Sequence, residues 1–150
     1  MYGRTHLLYG IVTGLAIGGG DPKIIGLTAI GSVISDIDHP NSIIGKNVPI
    51  IPNILPHRGP THSLLFLIAS CIVNIYFGIG VAVHLIMDMM TKSGVKLLWP
   101  VNKNLRFPLA KLVKTGGVFE KIVQIIGVGL TLFLTLKIPQ IENLLFKLLQ

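Results

Sequence analysis

The feature that most constrains this chain is a succession of apolar segments that are short for membrane-spanning helices. Four of them cover residues 7–20, 24–35, 64–77 and 81–90, whereas a helix that crosses the hydrocarbon core of a bilayer needs roughly 20 residues. A fifth segment, residues 122–136, is apolar enough for a transmembrane helix. Only 13% of the chain is charged and 51% is hydrophobic, while a soluble domain is about 25% charged. The chain is therefore predicted to be an integral membrane protein.

Polar and glycine-containing breaks between these segments predict two helical hairpins. Asp21 suits the N-cap of the second segment and Pro22 suits its first turn, so the first two segments form one hairpin. Gly78 and Gly80 favour a break between the third and fourth segments. The alternative is that residues 64–87 form one long spanning helix.

The predicted fold class is all-α, a single domain over residues 1–150. It consists of an integral-membrane bundle of two short hairpins plus a C-terminal transmembrane helix. Residues 39–60 carry five prolines, three asparagines and two glycines, so this stretch is predicted to be a long loop without a regular element, a kind of loop that tends to be functional. Residues 141–149 look amphipathic and are expected to lie in the membrane interface.

A basic segment between residues 92 and 121 sets the predicted orientation. It carries seven of the 13 basic residues, and the positive-inside rule places such a segment in the cytoplasm. Two X-Pro pairs flank an Asn-Lys-Asn turn, so a small basic loop or β-hairpin insertion is expected. The starts of the first and third helices and the ends of the second and fourth then lie at the cytoplasmic face. The seven residues are Lys92, Lys96, Lys103, Arg106, Lys111, Lys114 and Lys121.

Metal-capable side chains cluster at those same four helix ends. Ionisable residues at membrane depth are costly unless they are paired, liganded or hydrated. Neutral imidazole nitrogens and carboxylate oxygens suit zinc, and also manganese or iron. The sequence therefore predicts one or two divalent ions, most simply zinc. The candidate ligands are His6, Asp36, Asp38, His62, His84 and Asp88.

Each of these patterns also has a purely structural explanation. His84 and Asp88 stand one helical turn apart, and such a pair is commonly a helix-end hydrogen bond. Asp36 and Asp38 could form an Asx turn. Acidic residues at a helix C-terminus oppose the helix dipole, however, and a cation would compensate for them. The convergence of all these groups on one face favours a metal site.

A metal site of this kind predicts hydrolysis, because a bound ion acidifies water and polarises phosphoryl or acyl oxygens. Asp36 or Asp38, whichever is not a ligand, is the expected general base. Arg58 can bind a phosphate group, or it can hydrogen-bond to a carboxylate that is itself a metal ligand. His57 and Arg58 could alternatively be solvated loop residues. The candidate catalytic residues are Asp36, Asp38, His57 and Arg58.

Four motifs in this order resemble the YdjM-like family of inner-membrane-associated metal-dependent hydrolases. They are TH at 5–6, SDIDHP at 35–40, HRGPTHS at 57–63 and HLIMDMMTKSGVKLLWP at 84–100, and the resemblance covers about the first 110 residues. It implies an inner-membrane, metal-dependent hydrolase.

The order of the candidate ligands along the chain is His, Asp, His and then His-x-x-x-Asp. This order is also distantly similar to that of the zinc-dependent phospholipase C and P1 nuclease group. That similarity implies one zinc held by Asp36 or Asp38 together with His62, His84 and Asp88. It implies a second zinc at His6, with Asp88 as the bridge. The further downstream histidines of that group and its N-terminal tryptophan have no counterpart here.

The leading hypothesis is a multi-pass protein of the inner (plasma) membrane that hydrolyses a phosphoester such as a phospholipid or lipid phosphate. Its metal site would lie at the cytoplasmic face, where the basic segment would hold anionic lipid head groups. One rival is a membrane-bound regulatory protein with a structural metal site, and another is a small transporter. The basic segment lacks a helix-turn-helix or zinc-finger pattern, so nucleic acid is not an expected partner. Oligomeric state is left open.

Overall fold

The computed structural model describes residues 1–108, 110, 114–139 and 141. Over these residues the chain is helical and forms no strand, as the all-α prediction requires. Short 3-10 turns at Ser35–Asp38, Gly45–Asn47 and Pro60–His62 connect the helices. The six α-helices are α1 (Gly3–Gly18), α2 (Pro22–Ile34), α3 (Ile50–Ile54), α4 (Leu64–Val73), α5 (Ile75–Met89) and α6 (Val118–Leu136).

Helices α1 and α2 pack closely along their length. The predicted cap of α2 is confirmed, since the Asp21 carboxylate accepts a hydrogen bond of 2.8 Å from the Lys23 backbone N–H and Pro22 begins the helix. Gly10 of α1 leaves room for the backbone of Ala29, which would lie 2.9 Å from a Cβ at that position. The two helices can therefore approach to backbone contact.

The break between α4 and α5 falls at Asn74, earlier than Gly78 and Gly80 predict. The Asn74 side chain accepts hydrogen bonds from the backbone N–H groups of the next turn and so caps α5. Gly80 instead lies inside α5, where a Cβ would come 2.9 Å from the Cα of Gly31 in α2. This glycine serves close helix packing, and residues 64–87 do not form one long helix.

The predicted structureless loop is wrong in part, because residues 39–60 contain α3 and a 3-10 turn. In the described residues of the basic segment, a single antiparallel bridge joins Val95 to Leu105, so this part of the insertion is a loop rather than a β-hairpin. A backbone hydrogen bond of 2.8 Å from Leu64 to Leu97 ties this loop to the start of α4. The predicted amphipathic stretch 141–149 lies outside the described residues, apart from residue 141.

Helix α6 packs against α1 and is 19 residues long. In the described part of the chain, it is the one helix long and apolar enough to cross a membrane. Many of its apolar side chains are exposed, among them Ile125 at 73% and Leu132 at 62%. The interior shows the opposite pattern, because many of the largest fully buried side chains are histidines and carboxylates. In the described residues, apolar side chains therefore cover much of the surface of α6, while polar side chains occupy much of the interior.

Candidate metal centre

The six predicted ligands meet at one end of the bundle, although they come from four separate elements. One lies in the first turns of α1, two in the 3-10 turn after α2, one in the 3-10 turn before α4 and two in the last turns of α5. Three sets of three among them bring ligand atoms within 4.8 Å of one another. Those sets are His6, Asp36 and His84; His62, His84 and Asp88; and Asp36, Asp38 and His62.

The Nε2 atoms of His62 and His84 lie 3.1 Å apart at the centre of this cluster. The Nδ1 atom of His84 lies 2.7 Å from the carbonyl oxygen of Ser32. A carbonyl oxygen only accepts hydrogen bonds, so Nδ1 carries the proton and Nε2 presents a lone pair to the centre. His84 is 0% exposed, so its ring lies inside the bundle and away from the outer surface.

The other face of His62 is held in the same way. Its Nδ1 atom lies 3.2 Å from the Thr61 hydroxyl oxygen and 3.2 Å from the carboxylate oxygen Oδ2 of Asp38. The Thr61 hydroxyl itself donates to Asp38, so Nδ1 of His62 donates and its Nε2 again points to the centre. Burial alone would lower the pKa of His62, but hydrogen bonds to Asp36 and Asp38 outweigh it and raise the pKa to about 9. Two facing imidazole lone pairs require a cation between them. Without a metal, this cation is the proton of His62.

A metal ion fits the same geometry. Zinc binds histidine nitrogens at about 2.0–2.1 Å in a tetrahedral arrangement, which separates neighbouring nitrogens by about 3.3 Å. The observed separation of 3.1 Å between the two Nε2 atoms is close to that value. The distance therefore suits a shared zinc as well as it suits a shared proton.

The two carboxylates of the turn after α2 differ in what they face. Asp36 Oδ1 lies 3.6 Å from Nε2 of His62 and 3.7 Å from Nε2 of His84. Burial alone would raise the pKa of Asp36, but the nearby imidazoles of His62 and His84 outweigh it and lower the pKa to about 2. Asp36 is thus ionised at neutral pH and faces the centre.

Asp38 faces away from the centre, and both of its carboxylate oxygens already have hydrogen-bond donors. Its Oδ1 lies 2.8 Å from Nδ1 of His57, while its Oδ2 accepts from the Arg58 backbone N–H at 2.9 Å and from the Thr61 hydroxyl at 2.6 Å. His62 is a further donor to Oδ2. Although burial opposes it, hydrogen bonds from His57 and His62 hold the pKa of Asp38 below its usual range.

In this cluster, the ring of His6 lacks hydrogen-bond partners among the described residues. Its side chain is fully buried. Its Nε2 atom lies 3.3 Å from Oδ1 of Asp88, and its ring stacks on that of His84 with centroids 3.9 Å apart. A buried polar group without a partner is costly, and coordination of an ion would satisfy it.

Asp88 has two further cationic neighbours. The α-amino group of Met1 lies 2.6 Å from Oδ1, and the guanidinium of Arg58 lies 2.9 Å from Oδ2. Arg58 also donates to the carbonyl oxygen of Gly94 at 2.7 Å, and its backbone adopts a left-handed φ of 60°. Of the two roles predicted for Arg58, the geometry matches the holding of a ligand carboxylate.

A cavity of about 310 Å³ opens onto the cluster. Its lining includes Asp36, His57, Arg58 and Asp88, so it reaches both the centre and its hydrogen-bonded surroundings. The His57 side chain is 40% exposed, and the ring of His39 packs edge-on against it with centroids 4.7 Å apart. Solvent or a small substrate group therefore has access to the centre from this side.

Sequence reasoning missed three contributors to this site. The Ser32 carbonyl belongs to the backbone and has no sequence signal. The role of the Thr61 hydroxyl depends on a turn whose shape the sequence does not specify. Glu120 lies far from the other acidic residues in sequence, yet it is 1% exposed and hydrogen-bonded to the start of α1. A buried carboxylate in an apolar helix was the available signal for it.

Over the described residues, these features define a class: a helical protein with one candidate membrane-spanning helix and a buried histidine–aspartate cluster suited to a divalent cation. The chain matches the family described as YdjM inner membrane protein over residues 1–148 and belongs to that family, which confirms the resemblance found in the motifs. The similarity to the phospholipase C and P1 nuclease group stays a prediction.

Several relatives share substantial identity with the chain. It is 38% identical over 150 residues to "Uncharacterized protein YvsG" of Bacillus subtilis, covering 88% of this chain and 91% of that protein. It is 31% identical over 110 residues to "Inner membrane protein YdjM" of Escherichia coli, covering 61% of this chain and 56% of that protein. The protein of the same name from Shigella flexneri matches equally. No solved structure matches the chain.

Proposed function

We propose that this protein is a membrane-bound hydrolase that depends on a divalent metal ion, with zinc the ion that suits the site best. The observation that carries the proposal is the pair of facing Nε2 atoms of His62 and His84, 3.1 Å apart. Each ring is fixed through its Nδ1 atom by an acceptor. This arrangement of an oriented histidine with its other nitrogen anchored is typical of metal sites.

The proposed ligands fall into overlapping sets of three, which suits one or two ions. The two neighbouring carboxylates take different roles. Asp36 faces the lone pairs of the histidines and is the ligand. Asp38 has its oxygens occupied by four donors and orients His57 and His62 instead. His6 gains its missing partner by coordination. The proposed ligand set is His6, Asp36, His62, His84 and Asp88, with zinc preferred over manganese or iron because three of the five groups are imidazoles.

The residues around the ion support hydrolysis. A bound zinc would supply Lewis acidity, which acidifies water and polarises a phosphoryl oxygen. His57 lines the cavity, and Asp38 fixes its Nδ1 proton so that its Nε2 atom can accept a proton from water. Arg58 neutralises and orients Asp88. We therefore assign the general base to His57, supported by Asp38, rather than to Asp38 itself.

The proposed substrate is a phosphoester of a lipid, and the proposed location is a multi-pass protein of the inner membrane with its site at the cytoplasmic face. Support comes from the exposed, apolar surface of α6 and from the exposed basic side chains of Lys92, Lys103 and Arg106 beside the site end of α5. Basic groups of this kind attract anionic lipid head groups, with about 1 kcal/mol for each residue near the surface.

A second candidate function is a regulatory protein with a structural metal site. The complete burial of His6, His62 and His84 favours it, since structural sites are closed. The cavity beside Asp36 favours catalysis, because a catalytic site keeps one coordination position open to substrate. Activity measurements separate the two.

The test is to purify the protein in detergent, measure bound metal, and assay a chromogenic phosphodiester and phospholipid vesicles. His84→Ala combined with Asp88→Ala should abolish both metal binding and hydrolysis. Asp21→Asn is the control, since Asp21 is an exposed carboxylate at the cap of α2 and lies outside the proposed site. A wild-type protein that binds no metal, or a double variant with full activity, would contradict the proposal. Bound metal without hydrolysis would favour the structural alternative.

A further inference from the structure

Glu120, near the start of α6, is a carboxylate that the proposed chemistry does not use. It is 1% exposed and lies in the first turn of the one described helix that is long and apolar enough to span a membrane. Burial of an ionised carboxylate at such a place is costly unless it is compensated by several donors. Its compensation comes mainly from α1 and from the turn before α6.

The carboxylate acts as the missing cap of α1. Oε1 accepts hydrogen bonds from the Tyr2 backbone N–H at 2.6 Å and from the Thr5 hydroxyl at 2.7 Å, and Oε2 accepts from the Gly116 backbone N–H at 2.6 Å. Gln124, one turn further along α6, donates to the same hydroxyl of Thr5 at 2.7 Å.

Helix α1 has no capping side chain or acidic residue of its own at its first turn. Its N-cap residue, Tyr2, provides no side-chain hydrogen bond, and no acidic residue lies in its own first turn. The first N–H groups of a helix need acceptors, and a negative charge near them is favourable because it complements the helix dipole. Glu120 accepts from one of these N–H groups, that of Tyr2, and it places a negative charge at the start of α1 from a different helix.

The segment that Glu120 holds carries a proposed ligand. His6 follows Thr5 directly, and its ring nitrogens lack hydrogen-bond partners among the described residues. His62 and His84 are each oriented by an acceptor on Nδ1, whereas His6 has none. The position of the His6 ring therefore depends on where the first turn of α1 is held.

We propose that Glu120 is a positioning residue for the metal centre: through Tyr2 and Thr5 it fixes the first turn of α1, and so places His6 at the ion. This inference rests on the proposed metal site. It also joins the candidate membrane-spanning helix to that site, so that displacement of α6 would move a ligand.

The test compares zinc affinity and the visible spectrum of the cobalt-substituted protein for wild type, Glu120→Gln, His6→Ala and the double variant. Glu120→Gln should weaken zinc binding about tenfold, the lower end of the range for residues that orient ligands, and should shift the cobalt spectrum towards that of His6→Ala. In the double variant the two losses should not add, because both act on one ligand. Lys121→Gln, an exposed position on the same helix, is the control.

Several outcomes separate this role from a merely structural one. A structural role lowers the melting temperature of Glu120→Gln but leaves zinc affinity and the cobalt spectrum of the folded protein unchanged, and that result overturns the inference. Additive losses in the double variant overturn it as well. If Glu120→Gln fails to fold, Thr5→Val removes one hydrogen bond to the same carboxylate and is measured in the same way. A wild-type protein without zinc overturns the proposed centre and this inference together, whereas wild-type binding that Glu120→Gln leaves intact overturns this inference alone.

Discussion

Replacement of Asp38 by asparagine tests the division of roles between the two neighbouring carboxylates. Asp38 is 1% exposed and has four donors: the ring Nδ1 atoms of His57 and His62, the Arg58 backbone N–H and the Thr61 hydroxyl. An asparagine keeps the shape but loses the charge, and it presents an NH2 group where the carboxylate had an oxygen.

The size of the effect follows from those four hydrogen bonds. A hydrogen bond to a charged group contributes about 1.5–3 kcal/mol and a neutral one about 0.5–1.5 kcal/mol, so neutralisation costs about 1 kcal/mol per bond and up to about 4 kcal/mol in all. The amide also favours the wrong tautomer of His57, whose Nε2 atom would then carry the proton. We expect lower stability, zinc binding that is about 10–100-fold weaker, and little hydrolysis.

The assay is thermal unfolding in detergent together with zinc titration against a chelator. Asp21→Asn is the matched control, because Asp21 caps α2 at an exposed position and asparagine caps a helix about as well as aspartate. An Asp38→Asn protein with the zinc affinity and melting temperature of wild type would refute the assignment of Asp38 as the residue that orients both histidines.

Three further predictions concern pH, catalysis and packing. Zinc must displace the proton of His62, whose pKa is raised to about 9. Zinc affinity should therefore rise about tenfold per pH unit as the pH approaches 9 and then level off. A pH-independent affinity would contradict this prediction. His57→Ala should lower hydrolysis by about 10²–10⁴-fold with zinc content unchanged, and loss of zinc would instead make His57 a ligand. Gly31→Ala places a Cβ against the carbonyl oxygen of Phe77 and should destabilise the protein by about 1–3 kcal/mol, which thermal unfolding measures. Gly26→Ala is the control, because a Cβ at Gly26 meets nothing within 4 Å. This variant should leave the melting temperature unchanged or raise it.

The helical class and the membership of the cluster could be predicted from the sequence, because both depend on strong signals. Apolar segments indicated the helices, and the placement of polar side chains at their ends indicated which residues meet. The cap of α2 could also be predicted from neighbouring residues, since Asp21 and Pro22 occupy positions that their chemistry prefers. In each case the signal lies within a few residues of the feature it predicts.

The remaining details depend on contacts between distant segments. The break between α4 and α5 falls at Asn74, because this side chain caps α5, while Gly80 is required for the approach to α2. The sequence treats Asp36 and Asp38 alike, and only the 3-10 turn directs one to the centre and the other to His57. The contact between Glu120 and Tyr2 spans 118 residues, so no local pattern reveals it.

The most direct test of the metal centre is an anomalous difference map from crystals grown with zinc, measured above and below the zinc absorption edge. The account predicts a strong peak within about 2.1 Å of the Nε2 atoms of both His62 and His84, with Asp36 and Asp88 also in contact and His6 bound to this ion or to a second one beside it. The peak should be lost in His84→Ala combined with Asp88→Ala. Absence of a peak between these histidines, or a peak held by other residues, would contradict the account.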